Sequence, residues 1–456
     1  IFIHGIQWLG YTLHFPDWLT VFLAQGLGGG INTVLPLVPQ IGMMYLFLSF
    51  LEDSGYMARA AFVMDRLMQA LGLPGKSFVP LIVGFGCNVP SVMGARTLDA
   101  PRERLMTIMM APFMSCGARL AIFAVFAAAF FGQNGALAVF SLYVLGIVMA
   151  ILTGLMLKYT IMRGEASPFV MELPVYHVPH IKSLVIQTWQ RLKGFVLRAG
   201  KVIVIVSIFL SALNSFSLSG KVVDNINDSA LASVSRVITP VFKPIGVHED
   251  NWQATVGLFT GAMAKEVVVG TLNTLYTAED IQNEEFNPQE FSLGDELLAA
   301  VDETWQGLKD TFSLSVLANP IEASKGDGEM ETGAMGVMGS KFGSAAAAYS
   351  YLIFVLLYIP CISVMGAIAR ESSRGWMMFS VLWGLNIAYS LSTLYYQTVS
   401  FSQHPRYSLV CILAVILFNV VVFGLLRRAR SRVDVSLLAT RKTPTSCCQS
   451  PAGDCH

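Results

Sequence analysis

Six stretches of this 456-residue chain run for 17 to 25 residues without one Asp, Glu, Lys or Arg: Val34–Leu51, Gly135–Leu157, Val202–Leu218, Ala345–Ala369, Trp376–Val399 and Tyr407–Leu426. A helix needs about 20 apolar residues to cross the hydrocarbon of a bilayer. Only 13% of residues are charged, against roughly 25% in a soluble domain. These runs dictate an all-α polytopic membrane protein. The net charge of zero offers no basic surface for nucleic acid.

A further apolar stretch, Ser77–Leu98, is broken in its middle by Gly84, Gly86 and Pro90, and the break carries Cys87 and Asn88. In lipid every backbone N–H and C=O needs a partner, so irregular chain at membrane depth survives only when buried in protein or lining a cavity. Broken helices of this kind are where transporters hold ions. The segment points to a permeation site.

Lys and Arg concentrate on cytoplasmic loops. None occurs before Arg59, which places residues 1–31 outside; the chain begins with Ile and no signal peptide precedes its first span, so an upstream part is expected. Basic clusters at Arg96–Arg104, Lys158–Arg163, Arg191–Lys201, Arg370–Arg374 and Arg427–Arg432 belong inside. Tyr276–Ser344, with fourteen acidic residues and three lysines, belongs outside. Parity then requires the chain between Arg59 and Arg96, and again Ser229–Tyr276, to return to its starting side as a re-entrant hairpin. The two hairpins dip from opposite faces. They also align: residues 81–98 lie over 256–272, with Phe85 on Phe259 and Thr97-Leu98 on Thr271-Leu272. Each follows a helix bearing Arg66 or Arg236 and precedes a span with Pro and Cys, Pro112 and Cys116 or Pro360 and Cys361. Similarity with opposite orientation is the mark of an inverted repeat; chance apolar likeness is its competitor.

The expected organisation is therefore a first half at 32–161 and a cytoplasmic linker at 162–200 with an amphipathic helix on the leaflet. A second half at 201–275, an acidic outer loop at 276–344, spans at 345–428 and a basic, then Cys-rich, tail at 429–456 follow.

Candidate ligands are few. Cys87 offers a soft thiolate and Asn88 a harder amide oxygen, a pair suited to transient hold on a late first-row divalent metal; a small residue packed against backbone is the alternative for Cys87. Cys116 lies one turn before Arg119, an intramembrane charge that marks a functional site by default, or else a structural ion pair. Pro360 removes a main-chain hydrogen bond beside Cys361, leaving a cation site or a kink. Lys265 and Glu266 sit in the second hairpin beyond Gly261, either neutralising each other or placing Glu266 on the path. Glu52 ends the first span, as an ordinary helix end or as a group approaching the hairpin. The tail thiols Cys447, Cys448 and Cys455 with His456 suit a metal, or a segment with no defined site. Gly75-Lys76-Ser77 imitates a phosphate loop but lacks its first glycine, Ala70 standing there.

In combination, Glu-Asp-Ser-Gly-Tyr-Met-Ala-Arg (52–59), Gly-Phe-Gly-Cys-Asn-Val-Pro (84–90), Ser-Cys-Gly-Ala-Arg-Leu (115–120), Lys-Glu-Val-Val-Val-Gly (265–270) and Pro-Cys (360–361) resemble the ferrous-iron transport protein B family, most closely its enterobacterial members. The resemblance covers nearly the whole chain. It implies two Gate modules, Fe²⁺ as cargo across the bacterial inner membrane, and path-lining thiols at Cys87, Cys116 and Cys361. It also implies an N-terminal GTPase domain, using GTP and Mg²⁺, outside this chain, with small cytoplasmic partner proteins and a homo-oligomer. One departure is that Leu120 is followed by Ala121-Ile122-Phe123 rather than Pro-Val-Tyr, which predicts a straighter helix beyond Arg119. Rival readings are a Gate-type carrier of an organic solute such as a nucleoside, and a scaffold that transports nothing.

Overall fold

A computed structural model describes residues 12, 24–162, 176, 179–201, 204–205, 208–209, 229–263, 265, 267–277 and 332–429. The span expected at Val202–Leu218, most of the acidic loop and the Cys-rich tail lie largely or wholly outside these. Among the described residues there is no strand. Among the described residues five helical segments are long and apolar enough to cross a membrane: Pro101–Phe130, Gly135–Thr160, Ala345–Glu371, Arg374–Val399 and Pro405–Arg428. The protein is an all-α, multi-pass membrane protein.

Helix α1 (Gly29–Asp53) leads into α2 (Tyr56–Leu71), which lies at 101° to the helical run that follows, Gly75–Gly86. The turn between them is made by Gly72 at φ 79°, a left-handed conformation that glycine adopts freely. Gly75 follows because a Cβ there would run into the Ala61 carbonyl, while its N–H donates to Asp65. The phosphate-loop lookalike is thus a tight turn beneath α2. From it α3 (Phe78–Gly86) descends, the chain extends at Cys87, and α4 (Asn88–Gly94) returns so that Gly94 packs on Pro80. Nine and seven residues make arms of about 13 and 10 Å, far short of the roughly 30 Å hydrocarbon core. This is a re-entrant hairpin.

The second half repeats the plan. Ser229 caps α9 (Ala230–Ile238) by accepting from the Ala232 N–H. A 3₁₀ stretch ends at Gly246, φ 98°, before α10 (Trp252–Met263) and α11 (Val267–Thr277) form a hairpin closed at its base by Tyr276 Oη donating to Asn251 Oδ1 at 2.8 Å. Each hairpin is followed by a broken span. The first is α5 (Pro101–Met110) and α6 (Gly117–Phe130), the second α13 (Ala345–Leu357) and α14 (Ile362–Glu371). Between α6 and α13 come α7 (Gly135–Thr160) and α8 (Ile181–Phe195); α12 (Thr332–Phe342) precedes α13. Helices α15 (Arg374–Val399) and α16 (Pro405–Ala429) follow α14.

The basic clusters meet at one end. Lys158 Nζ donates to Ala70 O at 3.0 Å, Arg102 Nε to Met162 O at 2.9 Å, Lys76 pairs with Asp99 at 3.6 Å, and Arg96 pairs with Glu371. The base of the first hairpin lies there. Helix α15 starts at that end and runs 26 residues, about 39 Å. Its far end meets the base of the second hairpin, where Gln397 Nε2 donates to Pro244 O at 2.9 Å. The hairpins therefore enter from opposite ends, as parity required.

Helices in lipid gain little from apolar contact alone and pack closely through small residues. Gly146 of α7 backs the break in the first span, where a Cβ would lie 2.8 Å from Phe113 O. Gly384 of α15 backs the second break, 3.1 Å from Leu357 O. One glycine in each repeat seats the carbonyl end of a broken span.

Candidate permeation site

Three of the four described thiols occupy the same structural position, the fourth, Cys411, lying inside α16. Cys87, Cys116 and Cys361 each stand in extended conformation immediately before a helix, α4, α6 and α14 respectively. Each is half-buried and carries a thiol rather than a disulfide. The carbonyls of Cys116 and Cys361 accept the first bonds of the helices they start. A helix N-terminus carries partial positive charge, so an anionic sulfur suits it better than a bare ion does.

The hairpin tips meet the breaks near mid-span. A Cβ on Gly84 would lie 3.0 Å from Met114 Cβ, and one on Gly261 would lie 2.5 Å from Tyr358 Oη. Each hairpin thus packs through a glycine on the broken span of its own repeat. Gly86 faces Met44 of α1, and Pro90 occupies the first turn of α4, where no N–H is needed. Asn88 is 4% exposed. Its amide reads best with the nitrogen toward main-chain carbonyls, donating to Gly84 O at 2.9 Å and Ala111 O at 3.1 Å. It clamps the hairpin tip to the next break.

Arg119 is fully buried. Its Nη1 donates to Pro112 O at 3.0 Å and Met114 O at 2.9 Å, holding the C-terminal carbonyls of the α5 segment; among the described residues it has no carboxylate partner. Helix α6 runs on from it without a break to Phe130, the straightness that Ala121-Ile122-Phe123 predicts. The second break is more than a kink: four residues, Tyr358 to Cys361 with Pro360 buried among them, separate α13 from α14. Tyr358 Oη reaches Leu258 O at 3.3 Å, and Lys265 Nζ lies 4.8 Å from the Tyr358 ring centroid. Glu266 is outside the described residues.

Neighbouring half-helices run parallel across the repeats. Helix α4 packs on α14, both starting at a thiol; α11 packs on α6, which starts at Cys116. Among the described residues no three His, Cys, Asp or Glu side chains gather as a metal-holding group. Glu52 is exposed, salt-bridged to Arg191 of α8 at 3.1 Å, and borders a cavity of about 550 Å³ with Val83 and Pro90 of the hairpin. A second cavity, about 240 Å³, lies between α1, α4, α8 and α14. Sequence reasoning missed Glu371 at its edge, reading Arg370–Arg374 as a basic cluster; a carboxylate in the last turn of a helix, against the helix dipole, was the available signal.

Comparison with known proteins agrees with this architecture. The family model described as Gate, nucleoside recognition, matches residues 34–130 and 196–374, and that of the ferrous iron transport protein B C terminus matches 139–191. The chain is 91% identical over its whole length to the Fe(2+) transporter FeoB of Salmonella typhi, and 90% identical to those of Escherichia coli K12 and Shigella flexneri. It spans 59% of the length of each of these relatives. No solved structure matches it. With both Gate segments falling on the two hairpin repeats, the chain belongs to the ferrous-iron transport protein B family.

Proposed function

We propose that this chain is the membrane part of a transporter that carries Fe²⁺ across the bacterial inner membrane. The observation that carries the reading is the triple recurrence of a thiol on the extended residue between two half-helices. Ferrous ion would shed water stepwise to sulfur and to main-chain carbonyls at the breaks. Borderline metals accept thiolate, and sites of few ligands release what they bind, as conduction requires. An organic-solute carrier would need amide and carboxylate side chains facing the breaks; among the described residues there, the amide of Asn88 is spent on main chain. The relatives' greater length supports a GTP- and Mg²⁺-using domain upstream, biasing the hairpins from the basic, cytoplasmic side.

The test is ferrous uptake by vesicles holding the full-length transporter. Cys87→Ser with Cys361→Ser is expected to cut uptake by about tenfold or more, the penalty for replacing soft ligands with hydroxyls. Unchanged uptake would remove the thiol path.

A further inference from the structure

Helices α4 and α14 descend together from Cys87 and Cys361 to the basic end, about 10 and 15 Å of helix, a third to half the thickness of the hydrocarbon. The 240 Å³ cavity follows the same descent. Val89 and Ile362, close to the two thiols, line its inner part; Arg96, Arg370 and Glu371 line its mouth. Glu371 is the one carboxylate among the lining residues.

Its environment is unusual. The Glu371 side chain is 6% exposed, while Arg96 is 59% exposed and grips both carboxylate oxygens through Nε and Nη2. Bidentate pairing of this kind is the strong form of an ion pair. Yet Glu371 ends α14, where the helix dipole favours a cation, and covering a carboxylate costs solvation. Local stability does not ask for Glu there. Residues that defy local electrostatics are where function is sought.

We propose that Glu371 is the oxygen ligand that receives the divalent ion from Cys87 and Cys361, and that Arg96 is the latch occupying it while the route is shut. This deepens the transport reading above and rests on it. With Arg96, Arg191 and Arg370 at the mouth, a cation is repelled in the state described. Moving the α4 arm off α14 removes the nearest guanidinium and unmasks the carboxylate in one step. A hard oxygen ligand suits an ion that is regaining water.

The experiment uses the full-length transporter in vesicles with two readouts. One is ferrous uptake. The other is labelling by a membrane-impermeant thiol reagent, applied from the basic side to a form whose one reactive thiol is Cys361. Arg96→Gln is expected to raise labelling at least about fivefold by favouring the open state, with uptake retained. Glu371→Gln is expected to raise labelling equally while uptake falls about tenfold, the mark of a lost contact rather than a lost fold. Glu371→Asp should retain most uptake. The swap Arg96→Glu with Glu371→Arg should restore low labelling without restoring uptake. Rescue of both by the swap would make the pair merely structural, and labelling unmoved by Arg96→Gln would remove the latch. A parent that imports iron alongside an equally active Glu371→Gln sinks this proposal alone. A parent that imports none sinks the transport reading and, with it, the ligand role.

Discussion

The two repeats share a skeleton but not its filling. Both have a helix leading to a left-handed glycine, a re-entrant hairpin and a broken span seated on a glycine of the next helix. In the first repeat the hairpin tip is neutral, Cys87-Asn88, and the broken span is cationic, with Arg119 three residues beyond Cys116. In the second the tip carries Lys265 with Glu266 next to it in sequence, and the span is neutral at its break, with Val364 three residues beyond Cys361. Because half-helices pair across repeats, the basic-side pair α4–α14 starts from two thiols and no charge. The opposite pair, α6–α11, starts beside both buried cations. At an effective dielectric of about 20, a unit charge about 8 Å away costs a cation about 2 kcal/mol, twice that for a divalent ion. Arg119, with no carboxylate partner among the described residues, thus makes the α4–α14 side the softer place for a cation to rest.

The ends differ as well. The basic end is joined by ion pairs and bordered by cavities. The other is filled with rings: Phe342 packs edge-on to Phe126 and Phe130 at 5.5 and 5.7 Å, and Tyr351 stacks on Phe126 at 5.4 Å. An aromatic plug holds by shape; a charged one can exchange its partner for water or a passing ion.

The sharpest break of the repeat comparison is Arg119→Met. It orphans the Pro112 and Met114 carbonyls in a buried site, an expected loss of about 2–4 kcal/mol. Val364→Ile at the counterpart position adds a single methylene and orphans no polar group, so it should cost about 1 kcal/mol, the low end for overpacking. Melting of the purified full-length protein in detergent reads both, and equal shifts would refute the assigned asymmetry. The skeleton is probed next by Gly146→Val and Gly384→Val, each expected to cost about 1–3 kcal/mol by crowding a carbonyl. The first should be the larger, since its clearance is 2.8 rather than 3.1 Å. Tolerance of either would show that the breaks are not seated on these glycines. Gly246→Ala belongs beside them: φ 98° costs a non-glycine residue roughly 1–2 kcal/mol, and its Cβ would also run into the Tyr396 ring. A melting shift well below that of Gly384→Val would show that the ring gives way and the turn relaxes around the new methyl.

Much of this was legible in the chain. Five charge-free runs reappear in helices, and the first hairpin's break is announced by Gly-Phe-Gly-Cys-Asn-Val-Pro. The second hairpin's break lies between Met263 and Val267 and has no proline to announce it, so parity of the basic loops and the alignment with residues 81–98 were what pointed there. Cys116 and Cys361 were legible as thiols beside prolines, but not as the start of a new half-helix, because that depends on where carbonyls find partners in three dimensions. Arg119 was legible as a buried charge; that it holds carbonyls rather than a carboxylate was not. The Arg96–Glu371 pair joins positions 275 residues apart, and no local pattern encodes such a meeting.

The faintest effect separates covered from uncovered ion pairs. Lys243 and Glu249 pair at 2.9 Å beside the second hairpin, both side chains 59% exposed. The hydrogen bond from Lys243, with its charge, holds the Glu249 carboxyl below the usual carboxylate range. A depressed folded-state value means that the pair's stabilisation is present above the unfolded-state value and is lost as pH falls through the folded one. The group is bathed in solvent, so screening leaves little of that stabilisation to lose. Lys243→Gln should therefore leave melting at neutral pH where it was and remove only a shallow slope on the acid side. A large fall at neutral pH would mean that this pair does at its end what Arg96 and Glu371 do at theirs, and the contrast between the two ends would no longer hold.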